Sequence, residues 1–198
     1  MATNSPTPKN RAAPRVECRC SGDPREMGRT QGTELRQKIF GTQQSLRNLE
    51  AFRLERPGWL PYPLFLKLAE RKAEKLLVPA LRRSNPAMLS RMEGIAEGAG
   101  LPLGSVCLMN AMEAFIGSVE GRTVAPPLGA CSALAVRGTR SRTGEPIIAR
   151  NFDYPLLTQP FFMFRESRPR GGFRSLDFAV APLAGTADGV NEKGLAPG

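Results

Sequence analysis

One thiol is expected to lie beside a cation, an amide and a carboxylate, and these four residues are the candidate reactive groups of the sequence. Residues 132–136 and 146–151 are short runs of small and β-branched residues that flank a charged, turn-forming segment. This pattern predicts a β-hairpin with the thiol at the start of one strand and the other groups at the end of its partner. The four residues are Cys131, Arg150, Asn151 and Asp153.

The thiol of Cys131 has two interpretations. A cysteine at a strand start is often a small residue of the core, and an arginine and an aspartate a few residues apart are often a solvated pair. Alternatively, Cys131 is a nucleophile that a neighbouring basic group activates. The chain has no histidine, so a Cys–His dyad is excluded and a nucleophile here needs another base.

Length and composition narrow the class of protein. The chain has 198 residues, of which 41% are hydrophobic, which is enough for one good core. No run of about 18 apolar residues occurs, so no membrane span is expected. Residues 1–15 lack the apolar region of a secretory signal and predict a disordered tail, so a cytoplasmic location is expected.

The net charge of +10 raises the question of a polyanionic partner. The basic residues are spread along the chain, with two looser clusters at residues 137–142 and 165–174, and no helix has a one-sided basic stripe. Solvated loops and turns are therefore the favoured interpretation, and no nucleic-acid partner is expected. A basic binding module that uses the arginine-rich hairpins stays open as an alternative.

The remaining cysteines are expected to be structural. Cys18 and Cys20 lie in a strand-like run, where residues two apart point to the same face, and we expect both to be half-buried. A zinc site would need two further ligands, and the chain offers neither a histidine nor a second close cysteine pair. Neither a metal nor a cofactor is expected, and no disulfide framework is expected without a secretory signal.

Helical patterns dominate the chain before residue 115. Asp23, Pro24 and Glu26 form a capping-box start, and Gly28 and Gly32 share a helix face that allows another backbone to approach closely.

Three further helices and two more strands are expected. A helix over residues 64–82 should kink or end at Pro79. The next helix is capped by Asn85 and ends at Gly100. A short helix should cover residues 103–115, a loop should cover residues 117–129, and strands should cover residues 161–164 and 173–180.

Four patches of the sequence resemble the N-terminal-nucleophile hydrolase superfamily. The closest patterns are those of the penicillin acyltransferase (acyl-coenzyme A:6-aminopenicillanic acid acyltransferase) peptidase family and the choloylglycine hydrolases. The patches are residues 22–32, residues 92–100 with 108–111, residues 130–132 with 149–153, and residues 187–195.

The resemblance implies an α+β fold. Residues 16–130 would form a mostly helical propeptide or α-chain region, and residues 131–198 would begin the catalytic domain, an αββα sandwich. We expect the chain to be C-terminally truncated relative to that family, because the residues after Cys131 supply only the first few strands of such a sandwich.

The resemblance also implies an activity. The chain would be an autoproteolytically activated cysteine amidohydrolase or acyltransferase for small N-acyl or acyl-thioester substrates. Cleavage between Ala130 and Cys131 would free an α-amine, whose pKa near about 7.7–8.0 suits a general base without histidine.

The resemblance assigns roles to the neighbouring polar residues. Arg150 would hold the thiol partly ionised or bind an anionic group. Asp153 would orient the new α-ammonium, while Asn151 and Asn191 would be supporting residues. A non-catalytic truncated fragment remains the alternative, and the sequence makes no prediction of oligomeric state.

Overall fold

The structure is a computed structural model that describes residues 15–112, 131–152, 154 and 156–196. Helices dominate the first part of the chain and strands the second, so the fold is α+β, as the sequence predicts. The helices are α1 (Pro24–Glu34), α2 (Arg36–Ser45), α3 (Glu50–Glu55), α4 (Tyr62–Ser84), α5 (Pro86–Ala99) and α6 (Leu103–Asn110). The strands are β1 (Val16–Gly22), β2 (Ser132–Val136), β3 (Ile147–Asn151), β4 (Phe162–Pro169), β5 (Ser175–Val180) and β6 (Asp188–Asn191).

Four of these strands form a sheet in the order β1-β4-β5-β6. β1 runs parallel to β4, whereas β4, β5 and β6 pair antiparallel. The region predicted to be mostly helical therefore contributes a strand to the sheet of the strand-rich region. The sequence does not predict β6, because four residues are too few to show an alternating pattern.

The predicted helix ends are confirmed where local chemistry sets them. The Asp23 side chain accepts from the amide of Glu26, and the Glu26 side chain accepts from the amide of Asp23. Asn85 caps α5 by accepting from the amide of Met88, and Gly100 ends α5 with a φ of 72°. A left-handed φ of this kind favours glycine at a helix end.

Of the two outcomes expected at Pro79, a kink or an end of the helix, the end is excluded. α4 continues through Pro79 to Ser84. Pro79 is exposed, so the carbonyl that loses its intrahelical partner can bond to water instead.

Of the expected segments, residues 1–14, the loop over 117–129 and the end of the helix over 103–115 lie outside the described residues.

α1 and α5 pack backbone against backbone, as the two glycines of α1 predict. A Cβ atom on Gly28 would lie 2.1 Å from the carbonyl oxygen of Arg91, and one on Gly94 would lie 2.2 Å from that of Arg25. Gly32 and Gly98 make equally close approaches further along the two helices. Any side chain at these positions would push the helices apart.

We expect Gly94→Ala to lower the free energy of unfolding by about 1–3 kcal/mol, because the added methyl group overpacks the contact with the backbone of α1. Helix propensity alone would act in the opposite direction, by roughly 1 kcal/mol. Urea unfolding measures the difference. Gly58→Ala is the control, because a Cβ there has nothing within 4 Å. An equal effect of both substitutions would contradict the close helix contact.

A buried ion pair lies between the helices and the sheet. Arg165, 1% exposed, donates from Nε to Oδ2 of Asp177 at 3.2 Å and from Nη1 to Oε1 of Gln31 at 2.8 Å. Ser167 donates to the same Asp177 oxygen at 2.8 Å. The expectation that the arginines of residues 165–174 are solvated is therefore wrong for Arg165, because β4 turns its odd-numbered residues toward the helices.

Removing the carboxylate would leave the buried Arg165 charge unpaired. We expect Asp177→Ala to lower the free energy of unfolding by about 3–5 kcal/mol. Glu145→Ala, at an exposed turn, should change it by less than roughly 0.5 kcal/mol. Thermal or urea unfolding of the two variants tests this. Similar free energies of unfolding for both would contradict a stabilising role of the Arg165–Asp177 pair.

Candidate nucleophile site

The predicted hairpin is confirmed and fixes the register around the thiol. β2 and β3 pair antiparallel, with Ser132 opposite Asn151 and Ala133 opposite Arg150. Cys131 directly precedes β2. Because residues two apart share a strand face, Cys131 lies on the same face as Ala133 and therefore diagonally across from Arg150.

The hairpin register makes Cys131 and Arg150 neighbours. The Cys131 thiol and the Asp188 carboxylate both raise the pKa of Arg150, and the thiol has the larger effect. The guanidinium therefore stays charged. Cys131 is exposed. The interpretation of this cysteine as a buried core residue is therefore wrong, and its thiol is open to a reactant.

Asp188 is a site residue to which the sequence analysis gives no role. Arg150 Nη1 donates to Asp188 Oδ1 at 3.1 Å and to the carbonyl oxygen of Ala187 at 3.0 Å. The two acceptors hold the guanidinium beside Cys131. The sequence does show an acidic residue within the patch of residues 187–195. Its contact with Arg150 joins β6 to β3, and no local sequence pattern relates these two strands.

Aromatic rings anchor the end of the hairpin to the sheet. The ring of Phe152 meets those of Phe162 and Phe178 edge-on, with centroids 5.6 Å and 5.8 Å apart, and stacks on Tyr154 at 5.0 Å. The Arg150 guanidinium lies 5.4 Å from the centre of the Phe152 ring. Phe162 and Phe178 alternate with buried residues that pack toward the helices, so the hairpin end covers the opposite face of the sheet.

The remaining expected site residues divide into three groups. Asn151 ends β3 opposite Ser132, close to the thiol in register. Asn191 instead shapes the turn after β6, because its Oδ1 accepts from the amides of Lys193 and Leu195 at 3.0 Å each. Two residues expected in the site lie outside the described residues, namely Ala130 and Asp153.

The other cysteines are buried. Cys18 and Cys20 are each 1% exposed, rather than half-buried as expected, and their Sγ atoms lie 3.2 Å apart on one face of β1. The hydrogen bond between these thiols raises the pKa of Cys18 and lowers that of Cys20. Burial, with a smaller effect of the Glu74 charge, raises the pKa of Cys107 to about 12. Within the described ranges, no group of three or more His, Cys, Asp or Glu side chains is placed to hold a metal ion.

Comparisons with known proteins give no family assignment. Neither a scan against protein-family models nor a search of curated proteins finds a match to the chain. Among the helices that the structure describes, none combines the length and the apolar character needed to cross a membrane.

Alkylation of the native protein should distinguish Cys131 from the three other thiols. We expect iodoacetamide near neutral pH to modify Cys131 alone, because the other three are buried and reactivity requires an accessible thiolate. Peptide mapping identifies the modified residue, and denaturant should release the other three. The Cys131→Ala variant should take up no label in the native state. Labelling of Cys107 at the rate of Cys131 would contradict the described burial.

Proposed function

We propose that this chain is a cysteine N-terminal-nucleophile hydrolase or acyltransferase that activates itself by cleavage between Ala130 and Cys131. Its substrates would be small molecules with an N-acyl amide or an acyl thioester. The observation that carries the proposal is the exposed thiol of Cys131 at a strand start, which the hairpin register makes a neighbour of Arg150, while Asp188 holds that guanidinium in place.

The activation step needs only groups of the chain and one water molecule. Sγ of Cys131 attacks the carbonyl carbon of Ala130, the peptide nitrogen leaves as an amine, and a thioester forms. Water then hydrolyses the thioester, which releases the Ala130 carboxylate and leaves Cys131 with a free α-amine and a free thiol.

In the mature enzyme the α-amine is the base. It accepts the thiol proton, the Cys131 thiolate attacks the substrate carbonyl, and the protonated α-amine donates a proton to the leaving amine. Water or an acceptor nucleophile then takes the acyl group from the thioester. Arg150 would stabilise the negative charge on sulfur or bind an anionic part of the substrate. The orienting role of Asp153 remains a prediction from the family resemblance.

The arrangement of layers supports the proposal. One face of the sheet meets α1 and α5 through the contacts of Gln31 with Arg165 and of Arg91 with Ser167. The aromatic residues of the other face meet the hairpin that carries Cys131. An αββα sandwich has helices on the outer face of each sheet and its two sheets packed face to face. Helices on one face of this sheet and strands of the hairpin against its other face are compatible with that order of layers.

Intact mass tests self-processing. We expect the purified chain to separate into two pieces whose masses place the cut between Ala130 and Cys131, and the Cys131→Ala variant to stay uncut. Arg150→Gln should slow the cut, whereas Arg150→Lys should retain part of the rate because it keeps the charge. Arg137→Gln removes an exposed arginine of the same hairpin and serves as the control.

Two results would overturn the proposal. An uncut wild-type chain that is folded by circular dichroism would exclude self-processing, and a cut that persists in Cys131→Ala would place the nucleophile elsewhere. The N-terminal sequence of the shorter piece identifies the residue that the cleavage exposes.

A further inference from the structure

The outward face of α4 is strongly basic. Its exposed residues include six cations, and no ion pair joins any of them to another residue in the described part of the chain. The six are Lys67, Arg71, Lys72, Lys75, Arg82 and Arg83. The expectation that no helix has a one-sided basic stripe is therefore wrong.

The two acidic residues of α4 lie on the side that packs against the protein. Glu70 Oε1 accepts from Ser105 Oγ at 2.7 Å and from Gln43 Nε2 at 3.0 Å. Glu74 approaches Gly104, the second residue of α6. Glu70 is bonded to α2 and α6, whereas Glu74 stays exposed at the α6 side of the helix. The six cations outnumber the two acids, so the outward face keeps a net positive charge.

Large apolar side chains share this face with the cations. Leu64 and Leu68, four residues apart and so neighbours on the helix surface, are 49% and 48% exposed, and Leu76 is 63% exposed. Trp59, just before the helix, is 81% exposed and is the single tryptophan of the chain. Lysines, arginines, leucines and an aromatic residue are the residue types that helices in a membrane interface present to lipid.

We propose that α4 is a peripheral membrane-binding helix, which lies along an anionic lipid surface with Trp59 and the leucines inserted among the headgroups. The cations meet the lipid phosphates, and their aliphatic stems rest on the same apolar layer as the leucines. A nucleic acid would use the cations but offers nothing to Leu64, Leu68 and Leu76, so the apolar residues favour lipid. The helix lies on the membrane and does not span it.

Vesicle binding with a fluorescence readout tests the proposal on the full chain. We expect co-sedimentation with phosphatidylcholine vesicles that contain phosphatidylglycerol, and not with pure phosphatidylcholine. Binding should fall with added salt, because the attraction is screened. Trp59 emission should shift to the blue on binding, because its exposed ring moves from water into the interface. Emission that stays unshifted while the chain sediments with the vesicles would overturn the insertion of this face.

Two variants separate charge from apolar insertion. Arg71→Gln/Lys72→Gln/Lys75→Gln should weaken binding roughly a hundredfold, from about fivefold for each basic side chain near an anionic surface. Arg137→Gln/Arg140→Gln/Arg142→Gln removes the same charge from the exposed hairpin turn and should bind as the parent chain does. Equal losses from both triple variants would show a general charge effect and overturn the assignment to α4.

Leu64→Gln/Leu68→Gln/Leu76→Gln keeps every charge and should abolish the blue shift while weakening vesicle binding. Full binding and an unchanged shift in this variant would overturn the proposal. Tight binding of the parent chain to single-stranded DNA, lost in the α4 charge variant and kept in the leucine variant, would assign the surface to nucleic acid instead. Circular dichroism confirms that each variant is folded, and self-cleavage at Cys131 should continue in all of them.

Discussion

The close backbone contact between α1 and α5 sets where the helices stand against the sheet. Gly28 and Gly32 on one helix, with Gly94 and Gly98 on the other, bring the helices so near that a Cβ would collide with a carbonyl oxygen. α1 follows β1 after a single capping residue, so the position of α1 also sets the position of this edge strand. Dispersion between the tightly packed backbones stabilises the contact, and exposed ion pairs of Arg25 and Arg29 with α5 lie along it.

Side-chain hydrogen bonds and one strand pairing connect this helix pair to the nucleophile site. Gln31 of α1 accepts from Arg165 of β4, which donates to Asp177 of β5. Gly189 of β6 pairs with Asp177, and a Cβ there would lie 3.1 Å from the Asp177 carboxylate. The next residue back along β6 is Asp188, which holds Arg150. A buried charge tolerates few alternative arrangements, so this network favours one register of the sheet.

The charges of the molecule serve different purposes according to their burial. Arg165 is buried and paired, so its removal or that of Asp177 affects the stability of the whole fold. Arg150 is half-buried with one carboxylate and one exposed thiol beside it, an arrangement suited to chemistry at Cys131. The six arginines and lysines of α4 are exposed and outnumber its two acids, of which Glu70 bonds to α2 and α6, and this excess of positive charge suits a surface contact. Composition alone, as a net charge, does not separate these three groups.

Local sequence patterns predict the features that neighbouring residues set. The capping box at Asp23, the cap at Asn85, the glycine end at Gly100 and the β2–β3 hairpin all follow from side-chain and backbone preferences within a few residues. The helical spacing of Gly28 and Gly32 likewise predicted a close backbone contact, although not its partner.

Features that depend on distant segments do not follow from local patterns. The parallel pairing of β1 with β4, the burial of Arg165, the Arg150–Asp188 pair and the exposure of Cys131 all join or separate residues that local patterns do not relate. The structure is likewise needed to show that Glu70 bonds to α2 and α6 and so does not neutralise the basic face of α4. Conformational preferences act between residues within a few positions of each other. Burial and charge pairing depend instead on which distant segments pack together in the folded chain.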